Sequence, residues 1–163
     1  MREFTVTGEN ITIANAGVTL VCINPASGQT IEVVRCWANQ VGTATSAMYG
    51  IELNFKATAF PTLVSATPGK LKSSDPVSLI TGGTAGAAGT AGINASAEGA
   101  GATTIIYPDS FNNLVGWIWT PSMNWGESIQ VNSAASKAFC MKLQAAPSSL
   151  SGWNFGVTYR EVG

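Results

Sequence analysis

The sequence predicts an all-β fold, a jelly-roll or β-sandwich of about eight antiparallel strands carrying one long Gly/Ala-rich arm. Three observations predict it. Short apolar runs with a period of two recur at roughly 8–12-residue spacing. No segment of ten or more residues carries a helical period. Turn clusters rich in Pro, Gly, Asn and Ser separate the runs, and one Gly/Ala-rich stretch between residues 57 and 104 interrupts them. At 163 residues the chain suits one domain, 1–163, with 57–104 inserted between strands as a loop or arm.

Taken in order, Glu3 to Thr7 and Asn10 to Ala14 alternate apolar and polar residues, and the Gly8-Glu9 pair between them predicts a turn. Val18 to Ile23 is a β-branched run closed by Asn24-Pro25 and Ser27-Gly28. Thr30 to Asn39 follows. Strict alternation would put Ile31, Val33, Arg35 and Trp37 on one face and Val34, Cys36 and Ala38 on the other, apolar on both sides as in a central strand. Met48 to Lys56 has the clearest period of two, with Tyr49, Ile51, Leu53 and Phe55 facing one way.

Within the arm, Pro61, Pro68 and Pro76 precede the stretch TGGTAGAAGTAGINASAEGAGATT, which holds one charge, Glu98, and no bulk beyond Ile93. Gly loses more backbone entropy on ordering than any other residue, and Ala adds little area to bury. The arm is therefore expected to be mobile in the isolated subunit and to order on a partner. Replacing Gly82 to Gly101 by a short linker should leave the β body folded.

After the arm, Ile105 to Tyr107 is a brief strand ended by Pro108-Asp109. Leu114 to Thr120 sets Val115, Trp117 and Trp119 against Leu114 and Ile118. Glu127 to Val131 and Lys137 to Ala145 follow, the latter aligning Phe139, Met141 and Leu143. The last strand aligns Trp153, Phe155, Val157 and Tyr159 around Gly156. Tyr49, Ile51, Leu53, Phe55, Phe139, Met141, Leu143, Phe155 and Val157 are the expected core.

Composition narrows the function. Charged residues are 10% of the chain against about 25% in typical soluble domains. The surface therefore has little charge to keep it from other proteins. A net charge of −1 gives no electrostatic footprint for nucleic acid, and no apolar run reaches the ~20 residues of a membrane span. There is no histidine, the commonest general base and metal ligand. The glycines lack the Lys-Ser/Thr ending of a phosphate loop. No enzyme activity, cofactor or metal is expected. Cys22, Cys36 and Cys140, odd in number and widely spaced, read as buried free thiols of a protein made in a cytoplasm. Trp117, Trp119, Trp125 and Trp153 offer either core residues or a sugar-stacking platform, with Trp125 in a turn as the surface candidate.

The opening FTVTGENITIANAGVTL, the strands TIEVVRCWANQ and MYGIELNF, the arm segment LKSSDPVSLITGGTAGAAGTAG and the closing ESIQV, FCMKLQAAP and SGWNFGVTYRE together resemble small proteins encoded among the head genes of tailed bacteriophages. The resemblance covers nearly the full length and rests on pattern and composition. It implies a jelly-roll decoration or cement protein on the outer capsid surface of the virion, bound to the major capsid protein as a homo-oligomer, with a trimer favoured. Family members carry more charge and Arg in the strands after the arm, where this chain has Trp. The candidate contact residues are Phe4, Asp75, Pro76, Gly82, Gly83, Gly86, Gly89, Ile93 and Trp125. The alternative is a carbohydrate- or receptor-binding β-sandwich module of a phage tail or fibre.

Overall fold

Where one face of a strand is buried, alternation decides which side chains enter the core. In β4 (Met48–Ala57), Ile51 and Leu53 are fully enclosed, and Tyr49 and Phe55 pack half-buried on the same face. β12 (Lys137–Leu143) pairs with it from Lys137 opposite Ala57 to Leu143 opposite Ile51, bringing Phe139, Met141 and Leu143 alongside. β13 (Trp153–Val162) contributes Trp153, Phe155, Val157 and Tyr159, all without exposed surface.

These elements belong to a computed structural model that describes residues 2–43, 45–84, 86–122, 128–133 and 137–162. The remaining strands are β1 (Arg2–Ile11), β2 (Thr19–Asn24), β3 (Thr30–Gln40), β5 (Thr62–Ser65), β6 (Gly69–Lys70), β7 (Thr81–Gly82), β8 (Thr90–Ala97), β9 (Thr103–Asn112), β10 (Trp117–Trp119) and β11 (Ile129–Asn132). One sheet runs β10-β3-β13-β1-β6, with β11 also on β3; the other runs β5-β8-β2-β12-β4-β9, with β7 on β8. Every pairing among the described residues is antiparallel except β7 with β8. The protein is a β-sandwich with one apolar core between its sheets. Its strand segments exceed the eight expected, mainly because the arm supplies β5 to β8.

The arm is the main correction. Residues 57–104 are not a free loop: β8 lies inside the second sheet, paired with β2 on one side and β5 on the other. Ile80 plugs the main core, and Phe60 and Leu63 cover a second small cluster of Cys22, Ala95, Ala138 and Cys140 on the sheet's outer face. Between these points the chain crosses from β6, on the edge of the first sheet, to β7 on the second, and so closes that side of the sandwich. On the way Ser78 bonds the Tyr159 hydroxyl at 2.8 Å and donates to Glu161 Oε1 at 2.7 Å, which also accepts the Leu79 N–H. The glycines allow close approach: a Cβ on Gly92 would sit 2.6 Å from Leu63 Cβ and 2.7 Å from the Gly83 carbonyl oxygen.

Glu98, the lone charge of the glycine-rich stretch, fastens the arm's return. Its carboxylate accepts the N–H groups of Val18 and Thr19 at 2.6 and 2.7 Å and the Thr19 hydroxyl at 2.8 Å, with Lys142 Nζ 3.5 Å away. Burial alone would raise its pKa, but the bonds from Thr19 and Val18 and the charge of Lys142 together hold it below the ordinary 4.5. A lowered folded pKa means that the stabilisation is present above the unfolded value and is lost as pH falls through the folded one. Glu98→Ala is expected to cost about 2–3 kcal/mol at neutral pH, because it strands two amide donors. In urea melts this penalty should shrink only below pH 4.5.

Three smaller corrections have local causes. Gly8-Glu9 is not a turn; β1 runs through it with a register shift between Gly8 and Ile11, and Gly8 sits flat under the Phe155 ring. In β3 a register shift leaves Val34 without a partner between Arg35 and Val33. Its parity flips, so that Ile31 and Val33, then Cys36 and Ala38, face the core. Gly116, at φ +82, breaks the run from Leu114, so Val115 stands out in solvent instead of joining Trp117 and Trp119.

Candidate functional site

Opposite the arm crossing, no described strand bridges the two sheets. There the second sheet ends in β9 and the first in β10 and β11. Among the described residues β9 pairs only with β4. Its first eight residues, Thr103 to Ser110, are all exposed. Pro108 lacks an N–H, yet the strand continues through it to Asn112, because an edge strand tolerates a missing ladder bond. Leu53 pairs with Tyr107 and Asn54 with Ile105, so Ile106 is a bulged extra residue.

The result is an apolar edge of unusual length. Ile105 is 54% exposed, Ile106 37% and Tyr107 42%; Ile118 of β10 is 65% exposed, and Leu114 and Val115 lie bare in the connecting turn. Trp117 and Trp119 turn inward and are nearly buried. Trp117 Nε1 donates to Asp109 Oδ2 at 2.9 Å and ties β10 to β9, while the Tyr107 and Trp119 rings meet at 6.3 Å.

Between the two edges runs a groove of about 920 Å³. Phe55, Tyr107, Trp119 and Ile129 give it apolar walls, and Ser122 and Gln130 are among its polar lining. No charged residue lines it among those described. Its described lining suits apolar side chains, extended main chain or an uncharged polyhydroxylic ligand. No three of Cys, Asp and Glu cluster as metal ligands among the described residues.

A second, smaller apolar patch, Leu71, Val77 and Leu79, is exposed beyond β6 at the other edge of the first sheet. Asp75 and Pro76 lie within this segment, Pro76 exposed and Asp75 half-buried. The other sequence-derived candidates do internal work. Phe4 is fully buried against Tyr159, and Ile93 belongs to the core. Gly82 and Gly83 pack beside β8, Gly86 is buried with its carbonyl accepting Asn24 Nδ2, and the Gly89 N–H bonds the carbonyls of Asn24 and Pro25. Trp125 lies outside the described residues. Trp117, Trp119 and Trp153 are core residues.

The structure therefore scatters the expected contact residues and gathers exposed apolar side chains at β9 and β10. A signal for it was present. Three consecutive apolar residues before a proline, in TTIIYP, suit an edge strand with both faces bare. Comparisons with protein-family models, with curated proteins and with solved structures find no match.

Proposed function

We propose that this protein is a non-enzymatic structural subunit of a tailed-phage virion. It is a decoration or cement protein that binds the major capsid protein on the outer surface of the head and stabilises it. The observation that carries the reading is the bare apolar edge formed by Ile105, Ile106, Tyr107 and Ile118. A long, exposed apolar edge strand is a liability in a solitary protein and a template in one that assembles. The family resemblance of the sequence supports the same reading.

One apolar patch lies on the β9 and β10 side of the sandwich and the other beyond β6, at the far edge of the first sheet. Contacts between unlike patches on successive copies are heterologous, and they close into rings when the rotation allows. A homotrimer built this way would cover both patches and present one face to the capsid.

The test joins analytical ultracentrifugation to co-sedimentation with heads assembled from the accompanying major capsid protein. The wild type is expected to be oligomeric and to travel with the heads. Ile106→Asp with Ile118→Asp should give a folded monomer whose far-UV spectrum is unchanged and whose head binding is weakened at least ~10-fold, since charge at an interface centre costs more than about 1.4 kcal/mol. A wild-type protein that stays monomeric and ignores heads overturns the proposal.

The aromatic groove favours a second reading, a carbohydrate- or receptor-binding module of a tail or fibre. Tyr107, half-exposed at the groove, would stack on a sugar face while Gln130 and Ser128 take its hydroxyls. Glycan-array binding that Tyr107→Ala abolishes, without head binding, would select it.

A further inference from the structure

We propose that Cys22 and Cys140 form an oxidation site, a thiol pair that closes to a disulfide and staples β2 to β12 beneath the arm. The inference is independent of what the protein binds. Cys22 and Cys140 are direct partners in the β2–β12 ladder, and their Sγ atoms are 3.1 Å apart. Opposed residues in an antiparallel pair have Cα atoms ~4.5–5.5 Å apart, inside the ~4.4–6.8 Å window that a disulfide spans. The sulfurs already touch, so a small rotation of the side chains brings them to bonding distance without moving the backbone.

The surroundings make the pair selective. Cys36, the third thiol, lies in the other sheet and faces the main core. It has no cysteine within its cluster and is buried, which pushes its thiol pKa up. Cys22 and Cys140 instead sit on the outer face of their sheet in a small cluster covered by the side chains of Leu63, from the edge strand β5, and Phe60 before it. On either side of Leu63, Thr62 and Val64 are exposed. Lys56, on the neighbouring strand β4, places a positive charge that favours the Cys140 thiolate. Contact with Cys22 and burial act the other way, more strongly, and hold the Cys140 thiol protonated while the cover is shut. Lifting β5 would wet the pair and start the reaction.

With a peroxide as oxidant the step balances. One thiolate attacks a peroxide oxygen, the O–O bond breaks, and a sulfenic acid forms with release of water. The second thiol displaces that hydroxyl, the S–S bond forms, and a second water leaves. Two thiols lose two electrons and two protons, and the peroxide is reduced to two waters. The cross-link joins residues 118 apart in sequence, so it removes much conformational freedom from the unfolded chain.

The test treats the folded wild type with hydrogen peroxide, alkylates it under denaturing, non-reducing conditions and maps the peptides by mass spectrometry. The expected product is a Cys22–Cys140 linked peptide, with Cys36 still a single alkylated thiol. Its melting temperature should rise and return to the starting value with dithiothreitol. Leu63→Ala, which thins the cover, should form the same link faster, and Cys36→Ser should leave it unchanged. The proposal fails if Cys22 and Cys140 remain separately alkylated in both wild type and Leu63→Ala. It fails equally if they are over-oxidised without linking, or if Cys36 enters the disulfides as often as they do.

Discussion

Replacing Gly82 to Gly101 with a short Gly-Ser linker is expected to unfold this protein. The excised stretch contains all of β8, and with it Ala91 and Ile93 of the main core and Ala95 of the outer cluster. It also removes the Glu98 carboxylate from the amides of Val18 and Thr19, and leaves β2 with a bare edge where β8 had paired. A native domain has only ~5–15 kcal/mol to lose. Loss of a sheet strand together with three core side chains exceeds it. Far-UV circular dichroism and a thermal melt check the result: the shortened chain should show no cooperative transition at the wild-type temperature. A folded product with wild-type stability would return the segment to the status of a passive loop.

Trp153→Ala is expected to be the most damaging point change, at about 3–5 kcal/mol. The indole has no exposed surface. It packs on Tyr49 at 5.4 Å and edge-on to Phe111 at 6.3 Å, and its Nε1 donates to the Ser149 carbonyl at 3.0 Å. Alanine leaves a cavity at the junction of both sheets and removes one of the two donors to the Ser149 carbonyl, Gln40 Nε2 at 3.0 Å remaining. Leu53→Ala, at the centre of β4 and opposite Met141, should cost about 2–5 kcal/mol through its cavity alone. Urea titration reads both as a lowered midpoint with an unchanged slope.

The strands that sequence reading placed well share one circumstance: a dry face on one side. β4, β12 and β13 alternate because one row of side chains meets the core, and Ile51, Leu53, Phe139, Met141, Leu143, Phe155 and Val157 are all buried as expected. Parity failed where the backbone adds a residue. The bulge at Val34 in β3 leaves no mark in hydropathy, since Val34, Arg35 and Cys36 fit either face of an alternating pattern. Pro108 misled for another reason. It ends a central strand but not an edge one, and edge position is a property of the whole sheet.

Composition averaged over the glycine-rich centre hides the order of the arm. Main-chain pairing is blind to side-chain bulk, so TAGINASA can be a sheet strand with little to bury. The anchors, Phe60, Leu63 and Ile80, precede that centre. Glu98 stood out in the sequence as a solitary charge, yet its partners Val18 and Thr19 are 80 and 79 residues away, and only the fold brings them together. The bare apolar edge at β9 and β10 is hidden from the sequence for the same reason. Exposure of Ile105, Ile106 and Ile118 follows from what does not cover them.

Amide hydrogen exchange on the purified protein, at concentrations spanning its assembly, tests most directly whether the arm side is closed and the β9 side open. The amides of β8 should be protected to about the same free energy as those of β2, at every concentration. The outer half of β9, from Thr103 to Tyr107, should exchange fast in the dilute monomer and slow as copies associate. Fast exchange of residues 57–104 as one block, with β9 equally protected at all concentrations, would contradict both halves of the proposal.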